Sequence, residues 1–398
     1  MSKRTLEEFK RDYNLRQRIL RPDPDVEGAL DRATEVTEEI AARVKTYNQD
    51  FRKRKKYKPG CCCQEAVTRP GVAPLVQLND GREIPNLGLG TWLGFNKAGG
   101  LEPVVDDKVQ LAVEAAIDAG YRHIDTAAIY ETEEQVGIAI QNKIAEGVVA
   151  REDLFITSKL WNDRHAKKDV VPALKESLAR LNLTYLDLYL IHWPIAQYVS
   201  IATLYEEADH LMENGTYYDT DYVETWKGMI DAQVLGLARS IGVSNFNRTQ
   251  LDRLLTMTTV KPAVLQIEVN LNLQQPQMIK FCKEHGIAVV GYTPFGSLFH
   301  NRAAPNAPPP RTDNQTLLKI SDKYHKTIAQ VNLRYLIELG VIPIPKSVTP
   351  KRIGENIEVF DFQLTQRERD LMRAFDKNYR TIPVTMWEDS PYYPFHKK

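Results

Sequence analysis

Four apolar segments in the middle of the chain each end in a polar residue of a type that proton-transfer chemistry uses. They are HIDTAAIY, LFITSKLW, LDLYLIHW and ARSIGVSNF. A parallel strand buried on both faces is a nearly continuous apolar run, so a polar side chain at its carboxyl end contributes little to packing. If these strands close a barrel, their carboxyl ends converge on one face and bring together Asp125, Tyr130, Lys159 and His192.

The elements that would position these residues alternate along the chain between apolar strand-like segments and helical patterns. The predicted strands are 87–92, 121–126, 153–160, 186–193, 238–244, 263–269, 287–292 and 341–345. The predicted helices are 106–119, 133–146, 169–181, 222–235, 248–256, 275–285, a helical stretch within 314–339, and 350–358. About eight strand–helix repeats favour an α/β fold of the (β/α)8 TIM barrel type over an open sheet.

Two further segments frame the barrel. Asn79-Asp80-Gly81 separates two short apolar runs and predicts a β-hairpin with a two-residue turn, in which Gly81 supplies the positive φ. Such an N-terminal hairpin could form the floor of the barrel. Residues 195–220 and 297–313 are too long for simple connections, and long loops at the catalytic end of a barrel shape its pocket. The barrel domain is predicted to span residues 73–398.

Residues 1–72 form an N-terminal extension of a different character. Apolar residues recur at three- and four-residue steps through 26–51, which predicts one amphipathic helix. A basic linker follows, RKRKKYKPG, with Cys61, Cys62 and Cys63 behind it. A basic patch beside palmitoylated cysteines would be a membrane anchor, but basic runs are more often solvated surface, so we do not favour this interpretation.

Composition narrows the classes of protein. The formal net charge of the 398 residues is +0, which gives no indication of a nucleic-acid partner. No apolar run is long enough to cross a bilayer and the first residues lack a secretory signal, so we expect a cytoplasmic protein. Besides the three consecutive cysteines there is only Cys282, and this spacing favours neither disulfides nor a bound metal. A monomer is expected.

Six motifs in order carry a resemblance to a known family. They are GTW at 90–92, HIDTAAIY at 123–130, SKLW at 158–161, IHWP at 191–194, GVSNF at 242–246 and IPKSVTPKRIGENIEVF at 344–360. Over roughly residues 75–385 the chain resembles the aldo-keto reductases. The resemblance implies a barrel enzyme that reduces aldehydes or ketones to alcohols, with a small-molecule carbonyl compound as substrate.

The resemblance also implies a catalytic tetrad of Asp125, Tyr130, Lys159 and His192. Reduction of a carbonyl needs a proton donor near the oxygen on which negative charge develops, and Tyr130 would be that donor. We expect the ammonium of Lys159 to lower the pKa of the phenol, and Asp125 to keep the buried lysine charged. His192 would orient the carbonyl. Family members that reduce carbon–carbon double bonds in steroids carry a glutamate at that position, so we expect carbonyl reduction.

The cofactor that the resemblance implies is NADPH. Four residues would hold the nicotinamide, namely Ser244, Asn245 and Gln266 at its carboxamide and Tyr292 stacked on the ring. A second group would hold the adenosine end, namely Lys346, Ser347, Val348, Thr349, Arg352, Glu355 and Asn356. Within that group Lys346 and Arg352 would bind the 2′-phosphate. A paired lysine and arginine favour a phosphate over a hydroxyl, and therefore NADPH over NADH. Thr293 and Phe295 depart from the residues commoner in the family, so no pyrophosphate contact is assigned there.

The substrate pocket is expected to be aromatic. Trp92, Trp161 and Trp193 fall beside the ends of catalytic strands, and the tail adds Tyr392, Tyr393 and Phe395. Two alternatives belong to other classes of protein. One is a cofactor-binding regulatory subunit like the β subunits of potassium channels, whose N-terminal extensions act on the channel. The other is a structural protein built on the same barrel, as some lens crystallins are.

Overall fold

The structure is a computed structural model. It describes residues 71–94, 102, 104, 106–197, 217 and 219–395. The helix predicted at 26–51, the cysteines at 61–63 and most of the 195–220 loop lie outside the described residues. The predicted domain boundary at residue 73 therefore stays a prediction.

The described chain begins with the predicted hairpin. Strands β1 (Leu75–Gln77) and β2 (Glu83–Pro85) pair antiparallel. The amide of Leu78 donates to the carbonyl of Arg82, and Gly81 has a φ of 83°. The turn therefore contains three residues, 79–81, and the prediction of a two-residue turn was wrong. Gly81 adopts the left-handed conformation at the end of the turn, as three-residue hairpin turns commonly require.

Eight parallel strands follow in one sheet whose spatial order is the order of the sequence. They are β3 (Leu89–Gly90), β4 (His123–Asp125), β5 (Phe155–Leu160), β6 (Leu186–Ile191), β7 (Ala238–Ser244), β8 (Val264–Glu268), β9 (Ala288–Tyr292) and β10 (Val341–Pro343). The amides of Gly88 and Gly90 donate to the carbonyls of Pro343 and Pro345, so the first and last strands meet. The predicted (β/α)8 barrel is confirmed.

The helices surround this barrel close to their predicted positions. They are α1 (Lys108–Asp118), α2 (Glu133–Ala145), α3 (Lys167–Leu181), α4 (Tyr222–Val234), α5 (Arg248–Met257), α6 (Pro276–Glu284), α7 (Gln315–Tyr324), α8 (Ile328–Glu338), α9 (Pro350–Ile357) and α10 (Gln366–Arg373). Helix α10 was not predicted. Its eight residues are mostly charged, so the sequence has only a short apolar face there, although Thr365 and Glu368 form a capping box at its start.

The hairpin closes one end of the barrel. Leu78 and Ile84 of the hairpin are buried in one apolar cluster with residues that point into the barrel, including Phe155, Leu188 and Val264. The hairpin therefore forms the floor and leaves the carboxyl ends of the strands as the open face. Strand pairing is close at Gly242, where a Cβ atom would lie 2.4 Å from the carbonyl oxygen of Val264. Only glycine fits that position in the GVSNF motif.

Two features are absent from the described ranges. No helix in the described ranges is both long enough and apolar enough to span a membrane. The same ranges contain no group of three or more histidine, cysteine, aspartate or glutamate side chains arranged to bind a metal ion.

Candidate active site

The open face of the barrel carries the polar residues that the sequence singles out. Asp125 is the last residue of β4, and Tyr130 ends the single helical turn that follows it. Lys159 lies one residue before the end of β5, and His192 directly follows β6. Because parallel strands end at the same face, the four side chains that lie far apart in sequence meet here, as expected.

Lys159 is at the centre of this group. Its ammonium lies 2.6 Å from Asp125 Oδ1, donates to the carbonyl of Thr126 at 2.9 Å and to the Tyr130 hydroxyl at 3.3 Å. The side chain is fully buried. Burial lowers the pKa of Lys159 and the charge of Asp125 opposes that shift. The ion pair with Asp125 therefore favours the charged form of a lysine that burial alone would make neutral.

The Tyr130 hydroxyl joins Lys159 to His192. It lies 3.5 Å from Nε2 of His192 and its pKa is well above the usual range, because the phenol is buried and Asp125 repels a phenolate. Burial and Asp125 raise this pKa although Lys159 lies 3.3 Å from the hydroxyl, and the expectation that the ammonium favours the phenolate stays a prediction. The phenol therefore carries its proton, which is the state required of a proton donor.

His192 is neutral at physiological pH. Burial and, to a smaller extent, the charge of Lys159 hold its pKa well below the usual range. Its ring packs edge-on against Tyr130 and Trp161, at centroid distances of 5.6 and 5.3 Å. A neutral imidazole can donate one hydrogen bond without adding a charge, which suits a residue that orients a carbonyl oxygen.

Both oxygens of Asp125 are occupied. The ammonium of Lys159 donates to Oδ1, and the side-chain amide of Gln266 donates to Oδ2 at 2.7 Å. Gln266 was expected to hold a nicotinamide carboxamide, and no contact with Asp125 was expected. Gln266 lies on β8, on the far side of the barrel from β4 in the strand order. A bond across the barrel leaves no signal in a single sequence.

The other residues expected at the nicotinamide form one hydrogen-bonded group. The amide of Asn245 donates to Ser244 Oγ at 3.1 Å and to the carbonyl of His192 at 3.0 Å. The hydroxyl of Tyr292 donates to Asn245 Oδ1 at 2.8 Å. Asn245 has a φ of 62°, a left-handed conformation that asparagine tolerates better than most residues. These contacts fix the ends of β7 and β9 beside the Asp125 group.

The residues expected at the adenosine end lie apart from this group. Lys346, Ser347, Val348 and Thr349 lie between β10 and α9, and Arg352, Glu355 and Asn356 lie on α9. Lys346 is half-buried, and its pKa is lowered to about 8 by burial and by repulsion from Arg302 and Lys108, with Glu102 opposing the shift. Neither Arg302 nor Lys108 was expected at this site from the sequence. Arg302 belongs to the 297–313 loop, whose folding onto β10 no local pattern indicates. Excess positive charge here suits a phosphate group.

The rest of the adenosine group shapes the start of α9. Ser347 Oγ accepts a hydrogen bond from the amide of Thr349 at 3.1 Å, and Pro350 begins the helix. Val348, Thr349 and Arg352 are exposed, whereas Asn356 is buried. A groove with an empty volume of about 170 Å³ lies at this edge of the barrel and is lined by Gly90, Val109, Lys346, Ser347 and Val348, among others.

Aromatic rings surround the open face. Trp92 stacks on Tyr130 with the ring centroids 6.2 Å apart, and Trp193 stacks on His192 at 6.3 Å. Trp161 and Trp193 both contact Trp387, at 6.1 and 5.2 Å. Trp387 was missed by the sequence analysis because it lies in a tail without periodicity. The tail residues Tyr392, Tyr393 and Phe395 pack against the same cluster, and its role as a substrate pocket stays a prediction.

Comparison with known proteins agrees with this geometry. A model of the aldo/keto reductase family matches residues 86–377. The chain is 51% identical to the aldo-keto reductase AKR2E4 of Bombyx mori, over 81% of this chain and 98% of that protein. It is 40% identical to aldo-keto reductase family 1 member A1 of Homo sapiens, over 82% of this chain and 99% of that protein.

Solved structures give the same result. The crystal structure of Bombyx mori AKR2E4 in complex with NADP matches with a TM-score of 0.74 at 50% identity, over 81% of this chain and 99% of that chain. That of AKR2E5 complexed with NADPH matches with a TM-score of 0.75 at 44% identity, over 81% of this chain and 94% of that chain. Since the family model spans most of the barrel and these relatives match along nearly their whole length, the protein belongs to the aldo/keto reductase family.

Proposed function

We propose that this protein is an NADPH-dependent carbonyl reductase that converts aldehydes or ketones to alcohols, the reaction type of an NADP-dependent alcohol dehydrogenase. The observation that carries the proposal is the position of the Tyr130 hydroxyl, 3.3 Å from the ammonium of Lys159 and 3.5 Å from Nε2 of His192. A carbonyl oxygen held between the phenol and the imidazole would meet two hydrogen-bond donors where its negative charge develops.

Each of the four residues has one role in the proposed reaction. NADPH supplies the hydride. Tyr130 carries the proton that goes to the oxygen, because burial and Asp125 keep its pKa high. Lys159 favours the phenolate that remains after transfer, and Asp125 keeps Lys159 charged. His192 donates a hydrogen bond that orients the carbonyl.

The residues around the barrel mouth suit NADPH. Lys346, Arg302 and Lys108 bring positive charge to one edge. Burial and then the repulsion among these charges lower the pKa of Lys346 to about 8, and a bound anion would relieve the repulsion. Ser244 and Asn245 offer polar atoms at the end of β7, where a carboxamide would bind, beside the ring of Tyr292. We therefore propose that NADPH binds along the edge from β7 to β10, and that the 2′-phosphate lies at Lys346.

The proposed substrate is apolar around its carbonyl group. Trp161, Trp193 and Trp387 are at most 6% exposed, and Ile129 and Ile195 lie in the same cluster. An aromatic or branched aliphatic aldehyde would bury its carbon skeleton there, at roughly 25 cal/mol for each Å² of apolar surface removed from water. A highly hydroxylated sugar would lose hydrogen bonds to water in the same pocket.

The alternative of a channel-associated regulatory subunit is not favoured, because the relatives described above are named as reductases. The test is a kinetic assay of NADPH oxidation, followed by absorbance, with aromatic aldehydes, aldoses, α-dicarbonyls and keto-steroids, and with NADH in parallel. Reduction of aromatic aldehydes with a preference for NADPH is the expected result. Tight NADPH binding without turnover of any member of the panel would refute the proposal.

A further inference from the structure

One buried carboxylate near the candidate active site has no role in the proposed reaction. Glu268 is the last residue of β8, two positions beyond Gln266, and its side chain is fully buried. Burial of a carboxylate is costly unless its oxygens accept hydrogen bonds, so the partners of Glu268 indicate what the charge does there.

Three of the four partners of Glu268 described here belong to a segment more than one hundred residues further along the chain. Its oxygens accept hydrogen bonds from the backbone amides of Thr381 at 2.7 Å and Ile382 at 3.1 Å. The side-chain amide of Asn270 donates a third bond at 3.0 Å, and the guanidinium of Arg380 lies 3.8 Å away. Two consecutive backbone amides directed at one carboxylate fix both the position and the direction of the chain.

The segment that starts there, residues 380–395, is named here the C-terminal strap. Its residues Ile382, Val384, Trp387 and Phe395 pack in the same cluster as Trp161 and Trp193. The far end of the strap is held on α5, where the amide of Gln250 donates to the carbonyl of Tyr392 at 2.9 Å and that of Asn247 to the carbonyl of Pro394 at 3.1 Å. Glu268 therefore anchors the near end of a segment that crosses the aromatic pocket.

We infer that Glu268 is a positioning residue for substrate, because it clamps the start of the C-terminal strap to the end of β8 and so sets the place of Trp387 over the pocket. This inference rests on the proposed reductase function. A glutamine of the same size would not replace the carboxylate, since its NH2 group would face a backbone N–H and one of the three amide bonds would be lost.

The first test measures the clamp itself. Amide hydrogen exchange of Thr381 and Ile382 is compared in the full-length protein and in Glu268→Gln. The inference predicts at least about tenfold faster exchange at these two amides in the variant, since hydrogen bonds to charged groups are among the stronger ones. Unchanged exchange overturns the inference, and this readout holds even if no carbonyl compound is ever reduced.

The second test measures the consequence for substrate, with NADPH saturating. Propanal is small enough to reach the catalytic group without contacting the strap, whereas 2-naphthaldehyde is large enough to contact it. In Glu268→Gln the KM for 2-naphthaldehyde is expected to rise about tenfold, with kcat for propanal within about twofold of the unchanged protein. An equal loss for both aldehydes overturns the inference, because it would indicate general damage to the catalytic group.

A matched control separates positioning from stability. Glu338 is also a buried carboxylate that accepts a hydrogen bond from a distant backbone amide, that of Leu364 at 2.9 Å, and it pairs with Arg334 and Arg369. It lies on α8, among residues that do not contact the pocket cluster. Glu338→Gln is expected to lower the melting temperature without a change in the KM for 2-naphthaldehyde or in kcat for propanal. If Glu338→Gln raises the KM for 2-naphthaldehyde as much as Glu268→Gln does, the assignment of Glu268 is wrong.

Discussion

Gln266 and Lys159 hold opposite oxygens of one buried carboxylate, because the amide of Gln266 donates to Asp125 Oδ2 at 2.7 Å while Lys159 lies 2.6 Å from Oδ1. Because each oxygen has its own partner, the orientation of the Asp125 carboxylate is fixed. The ammonium that lies next to the Tyr130 phenol therefore depends on a side chain from the opposite side of the barrel.

Replacement of Gln266 tests that dependence. In Gln266→Leu one oxygen of Asp125 loses its donor, and kcat is expected to fall about tenfold. In Gln266→Glu a second carboxylate faces Asp125, so the repulsion should raise the pKa of the pair, disturb Lys159 and reduce kcat further. Steady-state kinetics and NADPH titration of both variants check this order. A larger fall in kcat for Gln266→Leu than for Gln266→Glu would contradict this order. It would indicate that Gln266 acts mainly through contact with the cofactor and not through Asp125.

Replacement of Tyr130 by phenylalanine tests the proton donor. Tyr130→Phe keeps the ring that stacks on Trp92 and removes only the hydroxyl, so NADPH affinity should be retained. Turnover should fall by about two to four orders of magnitude, the usual range for loss of a general acid. Fluorescence titration with NADPH and single-turnover kinetics measure the two quantities. Equal loss of binding and of turnover would contradict the assignment of Tyr130.

The pH dependence of NADPH binding tests the site at Lys346. Its pKa in the free protein is lowered to about 8, and only the charged form attracts a phosphate. NADPH affinity should therefore be highest below about pH 8 and fall as the pH rises through that value, a window in which NADH affinity should stay constant.

Lys346→Arg keeps the charge at all these pH values, so it should remove the pH dependence. Lys346→Met should weaken NADPH binding at pH 7 and leave NADH binding unchanged. A wild-type affinity for NADPH that is constant from pH 7 to 9.5 would disprove this assignment.

Acid stability should depend on a buried histidine outside the catalytic group. Burial lowers the pKa of His165 to about 3, and its Nδ1 lies 3.3 Å from Thr225 Oγ1. His165 takes up a proton near pH 6.5 in the unfolded chain but only near pH 3 in the folded chain. Its contribution to stability is therefore fully present above about pH 6.5 and is lost as the pH falls. The free energy of unfolding should fall by up to about 1.4 kcal/mol per pH unit between about pH 6.5 and 3 from this group.

Urea unfolding at several pH values measures that slope in wild type and in His165→Asn, which should show a shallower slope over this range. His300→Asn serves as the control, because His300 lies on an exposed loop. An identical slope in wild type and His165→Asn would mean that His165 does not contribute to acid unfolding.

The predicted domain boundary can be tested by deletion. Val72 is anchored to the barrel, because its amide donates to the carbonyl of Gly120 at 3.1 Å. Removal of residues 1–70 keeps this bond and the whole described barrel, so the melting temperature and the turnover of 2-naphthaldehyde should be unchanged. Thermal unfolding and the NADPH assay check both. Failure of the shortened chain to fold would show that the extension is part of the barrel domain.

The barrel could be predicted from the sequence, and so could the face at which the proposed catalytic residues meet. Buried parallel strands must be apolar along their length, so His123–Asp125, Phe155–Leu160 and Leu186–Ile191 stand out, and the polar residues at their ends mark the open face. The helices follow from the same argument, since an amphipathic period survives in a single sequence. Helix α10 was missed because its eight, mostly charged residues give only a short apolar face.

Contacts between distant side chains, in contrast, depend on the complete fold. The bond from Gln266 to Asp125, the clamp of Glu268 on Thr381, the contact of Trp387 with Trp193 and the approach of Arg302 to Lys346 join segments that share no local pattern. The complete fold also decides the protonation state of Tyr130. The residue types suggested a lowered pKa, but the balance between burial and a neighbouring charge depends on how deeply the phenol is enclosed, and that depth exists only in the folded chain.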